Sequence, residues 1–242
     1  MEYSLFTKLA AEFFGTAILM IFGNGSVANV ELKNTKGHHA GWLNIAMGYG
    51  FGVMFRCSCS AACPAPTSTG HDPRPGDQRA VPVERRAAVH RGAAARRTAG
   101  TVHRVPDVLP ALQGDRGRGS DPRTFCTTDA DNDKINYFLN EMFGTLVLVF
   151  GALCCLMLPW GSKDLAAASI VVGFIVWGLV TSMGGPTGPG LNPARDLMPR
   201  LLHAILPIPN KGASRWGEAW IPVVAPIVGA IVGAWLYVFF FA

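Results

Sequence analysis

Four residues near the C-terminal end have the types and spacing to handle a small polar molecule: Asn192, Pro193, Arg195 and Asp196. An asparagine directly before a proline is a favourable helix start, because the asparagine oxygen caps a free backbone N–H and proline leaves no donor unpaired. Such a helix start carries about half a positive charge. The Asn192 amide can donate to a hydroxyl, and Arg195 adds a fixed cation with several donors. These groups predict a site that binds neutral hydroxyl compounds and repels cations.

A stretch rich in glycine and proline, residues 184–190, precedes this group. We predict that it interrupts a helix, because glycine and proline are poor helix formers. Apolar segments flank it on both sides, and non-helical backbone at membrane depth is tolerated only where it is buried in protein or lines a wet cavity. The sequence therefore predicts a re-entrant loop with exposed carbonyl oxygens, followed by a short helix. An ordinary Asn-Pro turn of a soluble domain is the weaker alternative.

The composition is that of a membrane protein. Half of the 242 residues are hydrophobic and the mean hydropathy is +0.27, which is too apolar for an ordinary soluble domain. A bilayer is crossed by roughly 20 apolar residues in a helix. Five segments qualify as spans: about 6–30, 40–56, 136–158, 165–184 and 217–241. The first is not expected to be a signal peptide, because its start is acidic rather than basic.

The net charge of +5 lies entirely in residues 57–123, which contain arginine but no lysine and show no helical periodicity. A disordered basic loop is one interpretation of this segment. A surface over residues 74–123 that binds nucleic acid or anionic lipid is another, although no periodicity supports a folded basic face. Cys57, Cys59 and Cys63 have loose metal-like spacing, but no further ligand completes a zinc site. We therefore expect no metal, no other cofactor and no nucleic-acid partner.

An internal repeat divides the chain. Glu-Phe-Phe-Gly-Thr begins at Glu12 and Glu-Met-Phe-Gly-Thr begins at Glu141, and each motif opens an apolar helix that is followed by a glycine-rich one. Two similar halves of about three helices each indicate an inverted repeat, as in many transport proteins. A glutamate inside a membrane helix is costly and seldom accidental. Favourable interaction with the helix dipole is one interpretation of both glutamates.

Asn192-Pro193-Ala194 after its glycine- and proline-rich turn, together with the paired Glu-x-Phe-Gly-Thr motif, resembles the aquaporin, or major intrinsic protein, family. The Arg195-Asp196 pair that follows resembles the glycerol-facilitator branch. The resemblance implies an all-α bundle of six membrane helices and two re-entrant half-helices that meet at the midplane. It also implies a homotetramer with one pore per subunit. Each pore would conduct glycerol, water and other small neutral solutes passively, without enzymatic chemistry.

The resemblance implies roles for individual residues. Glu12 and Glu141 would accept hydrogen bonds from the half-helix loops and brace them. Asp196 would orient its loop or mark a wider, glycerol-type pore. A selectivity ring would consist of four residues: Tyr49, Val180, Pro189 and Arg195. Val180 replaces the histidine that is typical of water-only channels, so small polyols should fit, while simple helix packing is the alternative role for Tyr49.

We divide the chain into three parts. Residues 1–56 hold the first two helices, residues 57–123 are anomalous, and residues 124–242 hold two helices, the Asn-Pro-Ala half-helix and a final helix. The middle part stands where the family has its first half-helix and two further helices.

A shifted reading frame explains the middle part. Cys57–Thr69 can be coded so that the frame one base earlier gives Val-Leu-Val-Leu-Gly-Gly-Val-Ser-Gly-Ala-His-Leu-Asn, which is similar to the family's first loop. Three later stretches also give family-like sequence: His71–Val83, with the frame shifted the other way, Ala87–Arg97 and Val105–Arg123. This pattern fits single-base losses near Arg56, near Thr69-Gly70 and near Arg123. We interpret residues 57–123 as frameshifted and disordered, and a genuine basic insertion is the alternative.

The frameshift has consequences for the chain as written. Loss of one half-helix and about two spans would leave polar groups facing lipid, so we predict a poorly folded or inactive chain. A decayed gene product without transport is therefore an alternative to a channel. The family resemblance implies a multi-pass protein of the plasma membrane. It does not rank water, glycerol, dihydroxyacetone and urea as solutes.

Overall fold

The described residues of the computed structural model are 5–62, 124–157, 161, 164–188, 190–208 and 212–241, and all regular structure among them is helical. The short 3-10 helix Trp216–Glu218 precedes the last α-helix. The α-helices are α1 Leu5–Glu31, α2 Trp42–Ala62, α3 Lys134–Met157, α4 Leu165–Thr187, α5 Pro193–Ile205 and α6 Ile221–Phe241. The all-α class predicted from the sequence is confirmed.

Four helical segments are long and apolar enough to cross a membrane: Phe13–Glu31, Lys134–Met157, Leu165–Thr187 and Trp216–Phe241. The predicted fifth span, residues 40–56, is not among them. The helix itself is present as α2, which has 21 residues. Its hydropathy is lowered by three glycines that alternate with larger residues and by the polar Asn44 and Arg56. The sequence prediction was right about the helix and wrong about how apolar it is.

The central contact of the bundle joins α2 to α4. The α2 helix lies between α1 and α4, while α3 packs against both α4 and α6. A Cβ atom added to Gly50 would lie 3.1 Å from the carbonyl oxygen of Gly173, and one added to Gly173 would lie 2.8 Å from the Gly50 oxygen. Small residues at a crossing allow two membrane helices to approach closely. These two glycines therefore set the separation of the helices that flank the site.

The distribution of polar and apolar side chains suits a bilayer. Glu141, Arg195, Asp196 and Arg200 are buried, whereas large apolar side chains on the outer faces of the helices are exposed, among them Phe174, Ile231, Trp235 and Phe239. Ionisable groups inside a membrane face the interior of a bundle, where they find partners. With the four spanning segments, this arrangement is that of an integral membrane protein.

The α2 helix runs six residues further than expected. The predicted division at residue 57 placed Cys57 in a segment without regular structure, yet the helix continues to Ala62. Ser58 contributes no competing turn, because its hydroxyl donates to the Met54 carbonyl of the preceding turn, at 2.9 Å. The remaining residues of the segment, 63–123, lie outside the described residues.

The α4 helix also continues where a break was predicted. It passes through Gly184, Gly185 and Pro186 and ends at Thr187. Donors from another part of the chain take up its terminal carbonyls, because Ala130 N donates to Pro186 O at 2.9 Å and Thr128 N donates to Thr187 O at 3.2 Å. Outside donors for the last carbonyls satisfy a helix end that would otherwise be left unpaired.

Candidate functional site

The α5 helix begins directly at the Asn-Pro-Ala motif. Asn192 is its N-cap, with the side-chain oxygen accepting from Ala194 N at 3.1 Å, and Pro193 occupies the first helical position. The preceding Leu191 has a positive φ of 50°, which turns the chain sharply into the helix. Because the cap uses the amide oxygen of Asn192, the amide nitrogen can serve as a donor at the positive end of α5.

Glu141 holds the loop that leads into this helix. Its Oε1 atom accepts from Gly190 N at 3.1 Å and its Oε2 atom accepts from Leu191 N at 2.7 Å. The Glu141 side chain is only 1% exposed. A Cβ atom on Gly190 would lie 2.7 Å from the Glu141 carboxyl carbon, so a side chain there would displace the carboxylate from the loop. This geometry matches the bracing role expected for Glu141, while the side chain of Glu12, in α1, lies outside the described part of the structure.

Arg195 is buried in the first turn of α5 and contacts Tyr49 of α2. Its Nη2 atom donates to the Tyr49 hydroxyl, and its guanidinium carbon lies 4.9 Å from the centre of the Tyr49 ring. The Nε and Nη1 atoms of Arg195 have no hydrogen-bond partner within the described residues, although the side chain is only 4% exposed. An unpaired buried donor is costly, so these two atoms are candidates to bind a solute.

Tyr49 and Val180 belong to the same buried cluster, which joins α1, α2 and α4. The Val180 carbonyl accepts from Trp42 Nε1 at 2.7 Å. The structure thus places Tyr49 in one cluster with Val180 and in contact with Arg195. Pro189, the remaining member of the expected ring, lies outside the described residues.

Comparisons with known proteins identify the family. Residues 98–237 match the model of the family described as major intrinsic protein. The chain is 41% identical to the glycerol uptake facilitator protein-like 5 of Lactiplantibacillus plantarum, over 97% of this chain and 96% of the relative. It is 35% identical to a glycerol facilitator-aquaporin of Lactococcus lactis, over 93% and 94% of the two chains. This chain belongs to the major intrinsic protein family. The two alternatives, a decayed product without transport and a nucleic-acid or lipid binder, receive no support from these comparisons.

The fold of this major intrinsic protein is also that of a solved structure. The aquaglyceroporin of Plasmodium falciparum matches with a TM-score of 0.76 at 23% identity, over 97% of this chain and 96% of the other. The aquaporin-like helical bundle expected from the motifs is thereby confirmed.

Asp196 is held in a buried network that the sequence analysis did not resolve. Its Oδ1 atom accepts from the backbone nitrogen and hydroxyl of Thr127, at 2.7 and 2.6 Å. Arg200 Nε donates to Oδ2 at 2.9 Å. Of the two roles considered for Asp196, this geometry supports orientation of the half-helix, because the carboxylate is fully buried and already has its partners.

Arg200 extends the network to two more segments of chain, and sequence reasoning missed it. Its Nη1 atom donates to the carbonyls of Ser214 and Arg215, at 2.9 and 3.1 Å, and its Nη2 atom donates to Thr127 O at 2.7 Å. The Tyr137 hydroxyl lies 2.8 Å from Thr127 Oγ1. The spacing of Asp196 and Arg200, four residues apart on one helix, was the available local signal.

Proposed function

We propose that this chain is a passive membrane channel for glycerol, water and other small neutral solutes. The observation that carries the proposal is the buried Arg195, whose Nε and Nη1 atoms have no partner among the described residues. The names of the relatives, which are glycerol facilitators, support glycerol as one of the solutes. The mechanism is passage without covalent chemistry, because the groups at this site are hydrogen-bond donors and a fixed charge.

Selectivity against ions follows from the electrostatics of α5. The helix N-terminus at Asn192 and the Arg195 guanidinium both carry positive charge, so a cation at this point is repelled. A water molecule that accepts a hydrogen bond from the Asn192 amide cannot pass a proton through that bond, which interrupts a proton wire. Neutral molecules meet neither barrier.

Selectivity for polyols follows from the pairing of donors with an apolar wall. The Nε and Nη1 atoms of Arg195 are donors in one rigid plane that point in different directions, so each can hold a separate hydroxyl oxygen. Val180 offers only carbon atoms, against which the C–H groups of a polyol can lie. A site with buried donors rejects molecules that lack acceptors, because the donors then stay without a hydrogen-bond partner.

The proposal includes three features taken from the family. Glu12 would brace the first half-helix loop as Glu141 holds the second, and Pro189 would complete the ring with Tyr49, Val180 and Arg195. The subunits would assemble as homotetramers in the plasma membrane. The apolar outer faces of α3 and α6 are suited to contacts with lipid or with a second subunit.

Solute flux into proteoliposomes tests the function. The purified chain should raise glycerol and water permeability above that of protein-free liposomes, with no dependence on an imposed proton gradient. Asn192→Leu should lower both rates, because it removes the donor and the cap of α5. Asn136→Leu is the matched control, since Asn136 is exposed on α3. Glycerol rates equal to those of protein-free liposomes would refute the proposal.

A further inference from the structure

We infer that Asn24 of α1 is a positioning residue for solute selectivity: it fixes the Tyr49 hydroxyl, which in turn fixes Arg195. This inference rests on the proposed function, because selectivity has a meaning only in a channel. Asn24 has no place in the expected ring and sits in the first helix, which contributes none of the ring residues. Its side chain is nevertheless buried, with 6% exposed.

A chain of three hydrogen bonds connects Asn24 to the candidate pore. Asn24 Nδ2 donates to the Phe125 carbonyl at 2.9 Å. The Tyr49 hydroxyl donates to Asn24 Oδ1, also at 2.9 Å. Arg195 Nη2 donates to the Tyr49 hydroxyl oxygen. The chain therefore runs from a backbone carbonyl, through two side chains that both donate and accept, to the guanidinium.

The chemistry of the two ends sets the direction of every bond between them. A backbone carbonyl only accepts and a guanidinium only donates. The Asn24 amide must therefore turn its nitrogen towards Phe125 and its oxygen towards Tyr49. The single hydroxyl proton of Tyr49 is then directed at Asn24, and the oxygen lone pairs are left for Arg195. Asn24 thus makes Tyr49 a pure acceptor towards Arg195.

The Tyr49 ring packs closely against α1. A Cβ atom added to Gly23 would lie 2.9 Å from the Tyr49 Cζ atom, so the ring lies against the α1 backbone beside Asn24. The same ring stacks near the Arg195 guanidinium, with 4.9 Å between the guanidinium carbon and the ring centre. Gly23 and Asn24 together hold the ring and its hydroxyl.

The consequence for Arg195 is that one nitrogen is committed to the protein and two remain. With Nη2 held by Tyr49, the Nε and Nη1 atoms are presented in a fixed orientation. Glycerol must fit the fixed guanidinium with several hydroxyls in one orientation, whereas a water molecule can turn and accept from either donor. Loss of the Asn24 contact should therefore weaken glycerol passage more than water passage.

The test compares permeability ratios in proteoliposomes. The glycerol-to-water ratio does not depend on how much protein is folded, so a purely structural defect leaves it unchanged. Asn24→Leu should lower the ratio about fivefold, the order expected for loss of one buried hydrogen bond. Tyr49→Phe should do the same, and the double variant should be no worse than either, because both changes break one chain. Ser26→Ala, which removes a hydroxyl bonded to Gly23 O at 2.7 Å and to Ile45 O at 3.5 Å, outside the chain of bonds to Arg195, is the matched control.

The outcomes separate the inference from the proposed function. If Asn24→Leu folds poorly, Asn24→Ala makes the same comparison with a smaller side chain. Variants that lower both permeabilities by one factor, with the ratio unchanged, would overturn the inference and leave the channel function standing. An additive double variant would also overturn it, since Asn24 and Tyr49 would then act separately. A wild-type chain that conducts water but not glycerol would refute the glycerol proposal and this inference together.

Discussion

Asp196 and Arg200 form an ion pair in which both side chains are fully buried, with 2.9 Å between Oδ2 and Nε. Removal of two charges from water is expensive, and such a pair is tolerated only when further hydrogen bonds satisfy the remaining atoms. Here Thr127 supplies both a backbone N–H to Asp196 and a carbonyl to Arg200. The pair therefore fixes the half-helix α5 against the chain that precedes α3.

Breaking this pair on one side should be costly. Arg200→Met leaves the buried Asp196 carboxylate without its ion-pair partner, so we expect a loss of about 3–5 kcal/mol in the free energy of unfolding. Thermal unfolding in detergent measures the effect. Asp196→Leu combined with Arg200→Met should cost less than the sum of the single changes, because neither charge is then left alone.

A second ion pair provides the comparison for that experiment. Arg215 Nε lies 2.9 Å from Glu218 Oε1, and the two side chains are 29% and 9% exposed. Water still reaches the arginine, and pairs that reach solvent contribute about 1 kcal/mol or less. Glu218→Gln should therefore cost less than Arg200→Met. An equal loss at both pairs would show that burial does not set the strength of the Asp196–Arg200 contact.

The Glu141 carboxylate is expected to support both the stability of the fold and the glycerol flux. Glu141→Gln keeps the shape but replaces one acceptor by a donor that faces Gly190 N or Leu191 N, so we expect a cost of about 1–3 kcal/mol. Glycerol flux should fall with it, because the loop before Asn192 loses a support. Proteoliposome flux and thermal unfolding measure the two effects.

Asp133→Asn is the matched control for Glu141→Gln. The Asp133 carboxylate also accepts from two backbone nitrogens, those of Ile135 and Asn136, at 2.9 and 3.3 Å. It is exposed, so water can replace a lost bond. A loss at Asp133 as large as that at Glu141 would contradict the importance of the buried site.

The start of α5 and the position of Glu141 could be predicted from the sequence because their signals are local. Asn192 and Pro193 act within one turn, and Glu141 lies in a motif that the chain repeats. The partners of Asp196 could not be predicted. Thr127 is 69 residues away, and only the packed bundle brings it to the carboxylate. The bond between Asn24 and Phe125 could not be predicted either, because these residues are 101 positions apart in the sequence.

The end of α4 shows how tertiary contacts override a local signal. Pro186 and its neighbouring glycines predict a helix break, and this prediction was wrong by one turn. Asn140 Nδ2 donates to Met183 O at 2.9 Å and to Thr187 Oγ1 at 2.6 Å, which supports the last turn from a neighbouring helix. The sequence of residues 184–190 alone cannot predict these donors, because they belong to other parts of the chain.

The α3–α6 contact should not tolerate a methyl group at Gly233. A Cβ atom there would lie 2.6 Å from the Leu146 carbonyl oxygen. Because this obstacle is backbone, the helices must separate, and we expect Gly233→Ala to destabilise the protein by about 1–3 kcal/mol. Thermal unfolding in detergent measures the change.

Gly178→Ala is the same substitution in open space. A Cβ atom at Gly178 meets no atom within 4 Å. Alanine is the better helix former, so this variant should be neutral or more stable by up to about 1 kcal/mol. Equal destabilisation at both positions would contradict the importance of the close approach of α3 and α6 at Gly233.

The Cys126 thiol should react slowly with alkylating reagents. Burial, with a further contribution from the Asp196 carboxylate, raises its pKa to about 12. The thiolate is the reactive form, so labelling at pH 8 should be slow and should rise with pH only as the pH approaches 12. Maleimide labelling followed by mass spectrometry, on folded and on denatured protein, measures the difference. Rapid labelling of the folded protein at pH 8 would show that Cys126 is reached by solvent.

We propose that the arginine-rich segment, residues 57–123, whose first six residues form the end of α2, is translated out of frame. The coding DNA over codons 55–125 should then regain three bases when it is sequenced again from the source genome. The restored segment should contain Ser-Gly-Ala-His-Leu-Asn-Pro-Ala, a second copy of the Asn-Pro-Ala motif at residues 192–194. Because two half-helices line a pore more completely than one, the restored chain should conduct glycerol faster per molecule than the chain as written.

Both arms of that comparison can contradict the proposal. An unchanged DNA sequence would mean that the arginine-rich segment is what the gene encodes. Equal glycerol flux through the two chains would mean that the segment is dispensable for conduction. The half-helix α5, with Glu141 on its loop and the Thr127–Asp196–Arg200 network on its body, would then suffice to hold Asn192 and Arg195 in place.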